Sequence, residues 1–196
     1  MSHADRFLDT DRFERLRELR AAGPTAIAEA HAGRTRRSLL GDDGRLFILA
    51  ADHPARGALG IGDEPMAMAD RYELLDRLAL ALSRPGVDGV LGTPDIIDDL
   101  ALLGLLDDKV VVGSMNRGGL RGSSFELDDR YTAYDVEGMV RDRLDFAKAL
   151  VRIDLDDPAT AATVEATAKA VTDAASASLP IMLEPFMSSR RDGRVV

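Results

Sequence analysis

Charged side chains interrupt or follow several apolar runs of this sequence, and one run carries three of them. In residues 148–154, alternation places Lys148, Arg152 and Asp154 on one face of a strand and apolar side chains on the other. An amine and a carboxylate can transfer protons, and a guanidinium can bind an anionic substrate. The same charges can instead pair with one another, or be solvated on a half-exposed antiparallel strand. A neighbouring cation such as Arg152 would favour the neutral, nucleophilic form of Lys148.

Further polar side chains stand at the ends of other apolar runs. Asp52 follows the apolar run 46–51. Ser114 lies near the end of the β-branched run 109–115, and Asn116 follows that run. Glu184 lies in residues 179–185. Each has a structural alternative: Asp52 can cap the next helical segment, and Glu184 can belong to a buried ion pair. His53 is expected to be a structural histidine, and His3 and His31 are expected on the surface.

The elements that position these residues alternate along the chain. Apolar runs predict strands, and amphipathic or alanine-rich stretches predict helices. The predicted strands are 46–51, 87–93, 109–115, 148–154 and 179–185, and the predicted helices are 4–21, 25–32, 65–82, 95–106, one within 131–145, and 160–177. The alternation predicts a parallel sheet, either doubly wound or a (β/α)8 barrel. The barrel is favoured because polar residues recur at the carboxyl ends of the strands, where barrels build their sites.

The length predicts only part of such a barrel. A complete barrel takes about 250 residues, and this chain of 196 residues supplies five predicted strands. The predicted organisation is an N-terminal helical segment, 1–45, followed by the N-terminal part of a (β/α)8 barrel, 46–196, as a single domain. An incomplete sheet leaves an open edge and an uncovered apolar face, which predicts association or aggregation; a homo-oligomer is one form that association could take.

Composition excludes several classes of function. With 34 acidic and 25 basic residues the net charge is −9, which disfavours binding to nucleic acid. The sequence has no apolar run of membrane-spanning length and its polar start does not resemble a signal peptide, so we expect no membrane association and a cytoplasmic location. The absence of cysteine excludes disulfides and thiolate chemistry. The basic run Arg34, Arg36, Arg37 is expected to be a solvated loop. The glycine-rich stretches 57–62 and 118–122 are either plain turns or substrate loops.

Three motifs resemble one enzyme family. Residues 49–57, Leu-Ala-Ala-Asp-His-Pro-Ala-Arg-Gly, resemble the first strand of class I (Schiff-base) aldolases of the DhnA and tagatose-bisphosphate aldolase type. Residues 147–154 are similar to their fourth strand, and residues 179–185, with Leu-Glu-Pro, to their fifth. The resemblance is closest to the actinobacterial aldolase-like (β/α)8 proteins linked to inositol catabolism. It implies carbon–carbon bond cleavage or formation through a Schiff base on a phosphorylated sugar or related ketose, without a cofactor.

The resemblance also assigns roles residue by residue. It implies that Asp52 lies near the substrate, that Lys148 is a charged group beside the reacting centre, and that Glu184 assists proton transfer; these are the predicted catalytic residues. Arg152, Asp154, Ser114 and Asn116 are the predicted substrate-binding residues. The Schiff-base lysine of the family lies on the sixth strand, which has no counterpart in this chain, so the isolated chain is expected to be inactive.

Two other interpretations stay open from the sequence. Asp52, His53 and Glu184 could bind Mg²⁺ or Mn²⁺ in a metal-dependent lyase, although their spacing does not require a metal. The chain could also be a non-catalytic fragment. Loss of activity on chelation would favour the metal, and borohydride trapping of a substrate adduct would favour the Schiff base.

Overall fold

The computed structural model describes residues 6–116, 127, 130–192 and 194–195. Helices and strands alternate as the sequence predicts. In chain order they are α1 (Thr10–Ala21), α2 (Pro24–Gly33), β1 (Ile48–Ala50), α3 (Arg71–Leu82), β2 (Gly89–Gly92), α4 (Pro94–Leu102), β3 (Val110–Ser114), α5 (Val136–Arg141), β4 (Phe146–Ile153), α6 (Ala159–Ser176), β5 (Ile181–Met187), β6 (Arg190–Arg191) and β7 (Arg194–Val195). The stretch 118–122 lies outside the described residues, as does His3.

The main sheet has the strand order β1-β2-β3-β4-β5. The pairs β1–β2, β3–β4 and β4–β5 are parallel. A doubly wound sheet reverses its strand order part-way across, whereas the sequential order of this sheet is that of consecutive strands in a (β/α)8 barrel. The predicted α/β fold, an incomplete (β/α)8 barrel, is thereby confirmed. The alternative of a half-exposed antiparallel strand at 148–154 is wrong, because β4 is parallel to both neighbours and mostly buried.

The chain divides into two compact units. The first comprises the described residues of Met1–Ala51 with Leu59–Val111, and the second comprises those of Asp52–Ala58 with Val112–Val196. The predicted division at residue 45 stays a prediction. No helix in the described part of the chain has the length and apolar character needed to cross a membrane.

In the first unit, short polar side chains decide where helices begin. Asp9 accepts a hydrogen bond from the backbone N–H of Arg12 and starts α1 at Thr10. Asp70 accepts one from Glu73 N–H and starts α3 at Arg71. The predicted start of α3 at Pro65 is therefore too early, because the residues before Asp70 form turns. Apolar side chains of α3 and α4 fill the core, with Leu75, Ile97 and Leu100 fully buried.

Charged residues of the first unit are more buried than the sequence predicts. Arg34 is buried and donates from Nη1 to the Lys109 carbonyl at 3.0 Å, and Arg37 pairs with Asp88 at 2.7 Å. The predicted solvated loop is wrong for these two arginines. His31, expected on the surface, is buried with Nε2 3.0 Å from Asp98 Oδ1. Each side chain reaches a partner far along the chain, which local patterns do not reveal.

In the second unit, α5 and α6 pack close to the sheet through small residues. A Cβ atom at Gly113 of β3 would lie within 2.9 Å of side chains of α5 and its flanks, so only glycine fits there without a shift. The buried face of α6 consists of threonine and alanine: Thr163, Thr167, Ala170 and Ala174. The alanine- and threonine-rich helix that the sequence predicts at 160–177 is confirmed at 159–176.

Strand β5 carries an apolar surface that is accessible to solvent. In the described part of the chain β5 pairs with β4, and its exposed side chains include Met182, Leu183, Phe186 and Met187. The exposed apolar face that the sequence predicts is present on this strand. Self-association through it stays a prediction.

Candidate active site

Lys148 is a buried cation in the middle of a parallel sheet. It lies on β4 with 3% of its surface exposed, and its Nζ is 2.9 Å from Asp52 Oδ2 and 2.5 Å from Glu184 Oε2. The β4–β5 register sets Leu150 beside Glu184. Because alternate strand residues share a face, Lys148, Leu150 and Glu184 point to the same side of the sheet. Strand alternation and register therefore place Lys148 and Glu184 side by side, where they form an ion pair.

Asp52 follows β1 and is the anion at the centre of the site, with 2% of its surface exposed. Its Oδ2 accepts hydrogen bonds from Lys148 Nζ at 2.9 Å, from Ser114 Oγ at 3.2 Å and from Arg56 Nη2. Burial would raise the pKa of Asp52, but the charges of Lys148 and Arg56 outweigh it and hold the pKa below its ordinary value. Asp52 is thus a fixed carboxylate at neutral pH.

Ser114 and Asn116 leave β3 beside these charges, in different roles. Ser114 Oγ lies within hydrogen-bond distance of the Asp52 carboxylate and, at 3.0 Å, of the Asn116 carbonyl. The Asn116 side chain binds the backbone of Leu150: Nδ2 donates to the carbonyl at 2.7 Å, and Oδ1 accepts from the N–H at 3.0 Å. Asn116 therefore fixes β4 two residues beyond Lys148. Substrate binding by Ser114 and Asn116 stays a prediction.

Arg152 and Asp154 are not neighbours of Lys148 as the alternation suggests. Four residues along a strand span about 13 Å, and the Arg152 guanidinium lies over the Phe186 ring, 5.8 Å from its centroid. Asp154 follows the end of β4, and its Oδ1 accepts from Asp156 N–H at 3.1 Å within the turn before α6. In the described part of the chain, the carboxylates paired with Lys148 are Asp52 and Glu184. Of the two carboxylates that the sequence offers as partners of the cations on this strand, Glu184 pairs with Lys148 and Asp154 does not.

His53, which the sequence predicts to be a structural histidine, lies beside Asp52. Its side chain is 50% exposed, and Nδ1 lies 3.8 Å from Asp52 Oδ1. The described residues contain no group of three or more His, Asp or Glu side chains arranged to hold a metal ion. Asp52 Oδ2 is instead surrounded by cationic and hydroxyl donors. This environment suits a carboxylate that holds cationic side chains in place rather than one that binds a metal ion.

Arg56 is a member of the site that the sequence patterns did not single out. It lies four residues after Asp52, at the end of the 3-10 turn Pro54–Arg56, and pairs with the Asp52 carboxylate. The signal that could have found it is the spacing Asp52-x-x-x-Arg56 followed by Gly57, since one helical turn brings side chains four residues apart together.

Comparison with known proteins places the chain in a family. The sequence profile of the Cgl0159-like family matches residues 44–196. The chain belongs to the Cgl0159-like family. Its fold is similar to the crystal structure of Cgl0159 from Corynebacterium glutamicum (Brevibacterium flavum), with 68% identity and a TM-score of 0.94 over 97% of this chain. The chain spans 65% of the length of that relative.

A second solved structure has a fold similar to that of this family member. That structure is of a Schiff-base-forming fructose-1,6-bisphosphate aldolase, with a TM-score of 0.53 and 22% identity, covering 87% of this chain and 60% of the other. At this identity the likeness shows the fold, so the aldolase-like fold implied by the three motifs is confirmed. No curated protein matches the chain.

Proposed function

We propose that this protein, at the length of its relative Cgl0159, is an aldolase-type lyase that makes or breaks a carbon–carbon bond through a Schiff base. The observation that carries the proposal is the buried Lys148 ammonium between the carboxylates of Asp52 and Glu184, at 2.9 and 2.5 Å. Burial of the Lys148 and Asp52 charges is costly, and such clusters concentrate at sites of chemistry.

The three residues suit different parts of one reaction. Lys148 supplies a positive charge beside a carbonyl oxygen on which negative charge develops. Glu184 can exchange protons with a bound substrate or with water, because its side chain is 44% exposed. Asp52, with its lowered pKa, stays charged and fixes the position of the Lys148 ammonium. For Lys148 and Glu184, these roles agree with those that the motif resemblance implies. For Asp52 they differ, because the resemblance implies a place near the substrate.

Lys148 itself is a poor candidate for the Schiff-base nucleophile. A nucleophilic amine must lose its proton before it attacks a ketone. Two carboxylates at hydrogen-bond distance stabilise the charged ammonium instead. We therefore propose that Lys148 is not the nucleophile. The motif resemblance puts the Schiff-base lysine on a sixth strand, outside residues 1–196, so we propose that the isolated chain forms no Schiff base.

The substrate class is proposed from similarity. The aldolase in the second solved structure acts on fructose 1,6-bisphosphate by its description, and the motif resemblance implies a phosphorylated sugar or related ketose. Arg152, Asp154, Ser114 and Asn116 are the proposed substrate-binding residues, and no cofactor is proposed. Membership of the DhnA type and a role in inositol catabolism are proposals supported by the motif resemblance. A cytoplasmic location is proposed from the sequence, and homo-oligomer formation is proposed from the exposed apolar side chains of β5.

The test uses a protein of the length of Cgl0159 that contains this chain, called the longer protein below. Cleavage of a panel of ketose phosphates is measured by a coupled assay for the aldehyde that is released. We expect cleavage that survives chelation and is abolished when borohydride is added together with substrate. Lys148→Met should lower kcat by about 10²-fold or more. Lys169→Met is the matched control, because Lys169 is 75% exposed and pairs with Asp173 on α6. Activity that is lost on chelation and unaffected by borohydride would contradict the proposal.

A further inference from the structure

Arg56 is a buried cation whose position is fixed by the turn after β1. Residues Pro54–Arg56 form a single 3-10 turn, and Gly57 ends it with a left-handed backbone, φ 75°, that favours glycine. Only 8% of the Arg56 surface is exposed. Burial of a guanidinium is costly unless an anion compensates for the lost hydration. The identity of that anion therefore indicates what Arg56 does.

The anion is Asp52. Arg56 Nη2 donates to Asp52 Oδ2, the oxygen that also accepts from Lys148 Nζ. Arg56 Nε is buried and has no hydrogen-bond partner among the described residues. A guanidinium has five N–H donors in a fixed fork and can bind several acceptors at once. In the described part of the chain this guanidinium is directed at one carboxylate oxygen, where a second cation is already bound.

The charges of the cluster balance only when Arg56 is included. Two carboxylates, Asp52 and Glu184, meet two cations, Lys148 and Arg56. Without Arg56, one ammonium would serve both carboxylates, and the pKa of Asp52 would lose one of the positive charges that lower it. With Arg56 present, Asp52 has a cation of its own, so Lys148 and Glu184 can act as a pair.

Accessibility separates the two carboxylates further. Asp52 is 2% exposed, so a substrate or a water molecule has little access to it. The Glu184 side chain is 44% exposed and can exchange a proton with a ligand. We propose that Arg56 is a positioning residue of this site: it is the dedicated counter-ion of Asp52, and it leaves the Lys148–Glu184 pair as the part of the cluster that exchanges a proton. The use of that proton rests on the proposed function, whereas the assignment of Arg56 to Asp52 rests on the contacts.

The direct test is a titration of the Asp52 side-chain carboxyl group by ¹³C NMR in the chain itself, with the signal assigned by its loss in Asp52→Asn. In Arg56→Leu we expect the midpoint of the Asp52 titration to rise by about one to three pH units. Arg56→Lys should restore most of the difference, because it keeps a cation. Arg77→Leu is the matched control: it removes an arginine from an i,i+4 pair with Glu73 on α3 and should leave the Asp52 midpoint unchanged.

A midpoint of Asp52 that is the same in Arg56→Leu and the unsubstituted chain would overturn the proposal. If Arg56→Leu does not fold, the double variant Asp52→Asn/Arg56→Leu decides, because removal of the charge that Arg56 balances should restore folding. A double variant that remains unfolded, when Asp52→Asn alone folds, would show that Arg56 serves packing and would also overturn the proposal.

A second readout uses the longer protein with ketose phosphate as substrate. We expect the acid limb of its pH–rate profile to move to higher pH in Arg56→Leu and to stay in place in Arg77→Leu. An unchanged acid limb in Arg56→Leu would count against the inference. If the unsubstituted longer protein cleaves no ketose phosphate, the proposed function fails, and the Asp52 titration still decides the role of Arg56.

Discussion

The Lys148→Met substitution removes the ammonium between Asp52 and Glu184 and keeps an apolar side chain of similar length. Loss of one partner of a buried ion pair costs about 3–5 kcal/mol, because the other charge is left uncompensated. In this site Asp52 keeps its bonds to Arg56 and Ser114, and the Glu184 side chain is 44% exposed and can be hydrated. We therefore expect the lower end, about 3 kcal/mol of unfolding free energy at pH 7.

The pH dependence of that loss tests its cause. The folded-state pKa of Asp52 lies below its ordinary value, so the Asp52 charge stabilises the fold above the unfolded pKa of about 3.9. That contribution is lost as the pH falls through the folded-state pKa. The difference in stability between Lys148→Met and the unsubstituted chain should therefore be full at pH 7 and should narrow below about pH 4.

Urea unfolding followed by circular dichroism measures both quantities. Lys169→Met should cost about 0.5 kcal/mol or less, because its ion pair with Asp173 is exposed. A Lys148→Met variant as stable as the Lys169→Met variant at pH 7 would refute the reasoning. The reasoning would also be refuted if the difference in stability between Lys148→Met and the unsubstituted chain stayed constant from pH 7 to pH 3.

Two further substitutions test how the fold positions the site. Gly89→Ala places a Cβ atom 2.0 Å from the Val110 carbonyl oxygen. We expect the free energy of unfolding, measured with urea, to fall by about 3 kcal/mol. A fall below about 1 kcal/mol would contradict the close approach of β2 and β3. Asn116→Ala leaves the N–H and carbonyl of Leu150 without their side-chain partner, at about 1–3 kcal/mol for each unsatisfied group. Hydrogen exchange at the Leu150 amide should become faster in that variant. An unchanged exchange rate would argue against the two hydrogen bonds by which Asn116 holds the Leu150 backbone.

The fold could be predicted from the sequence because its signals are local. The β-branched run before Ser114 and the alternation around Lys148 each indicate a strand without reference to the rest of the chain. The order of the strands then brings Asp52 and Lys148 to one edge of a parallel sheet, although 96 residues separate them. Strand boundaries limited the same reasoning: β4 ends at Ile153, so the alternation does not extend to Asp154.

The remaining parts of the site depend on contacts that no local pattern encodes. The role of Asn116 requires the backbone of Leu150, 34 positions away. The burial of Arg56 depends on the turn that Gly57 closes, and its spacing from Asp52 fits an exposed pair equally well. A charged side chain in sequence does not reveal whether its partner is water or a buried carboxylate, and the tertiary packing decides this.

The most direct test of the central claim, that Lys148 is a supporting cation and not the nucleophile, is peptide mapping by mass spectrometry after borohydride reduction. The longer protein and the isolated chain are each incubated with dihydroxyacetone phosphate, reduced and digested. We expect the longer protein to carry one reduced adduct on a lysine outside residues 1–196, and the isolated chain to carry none. An adduct on Lys148 in either protein would contradict the claim.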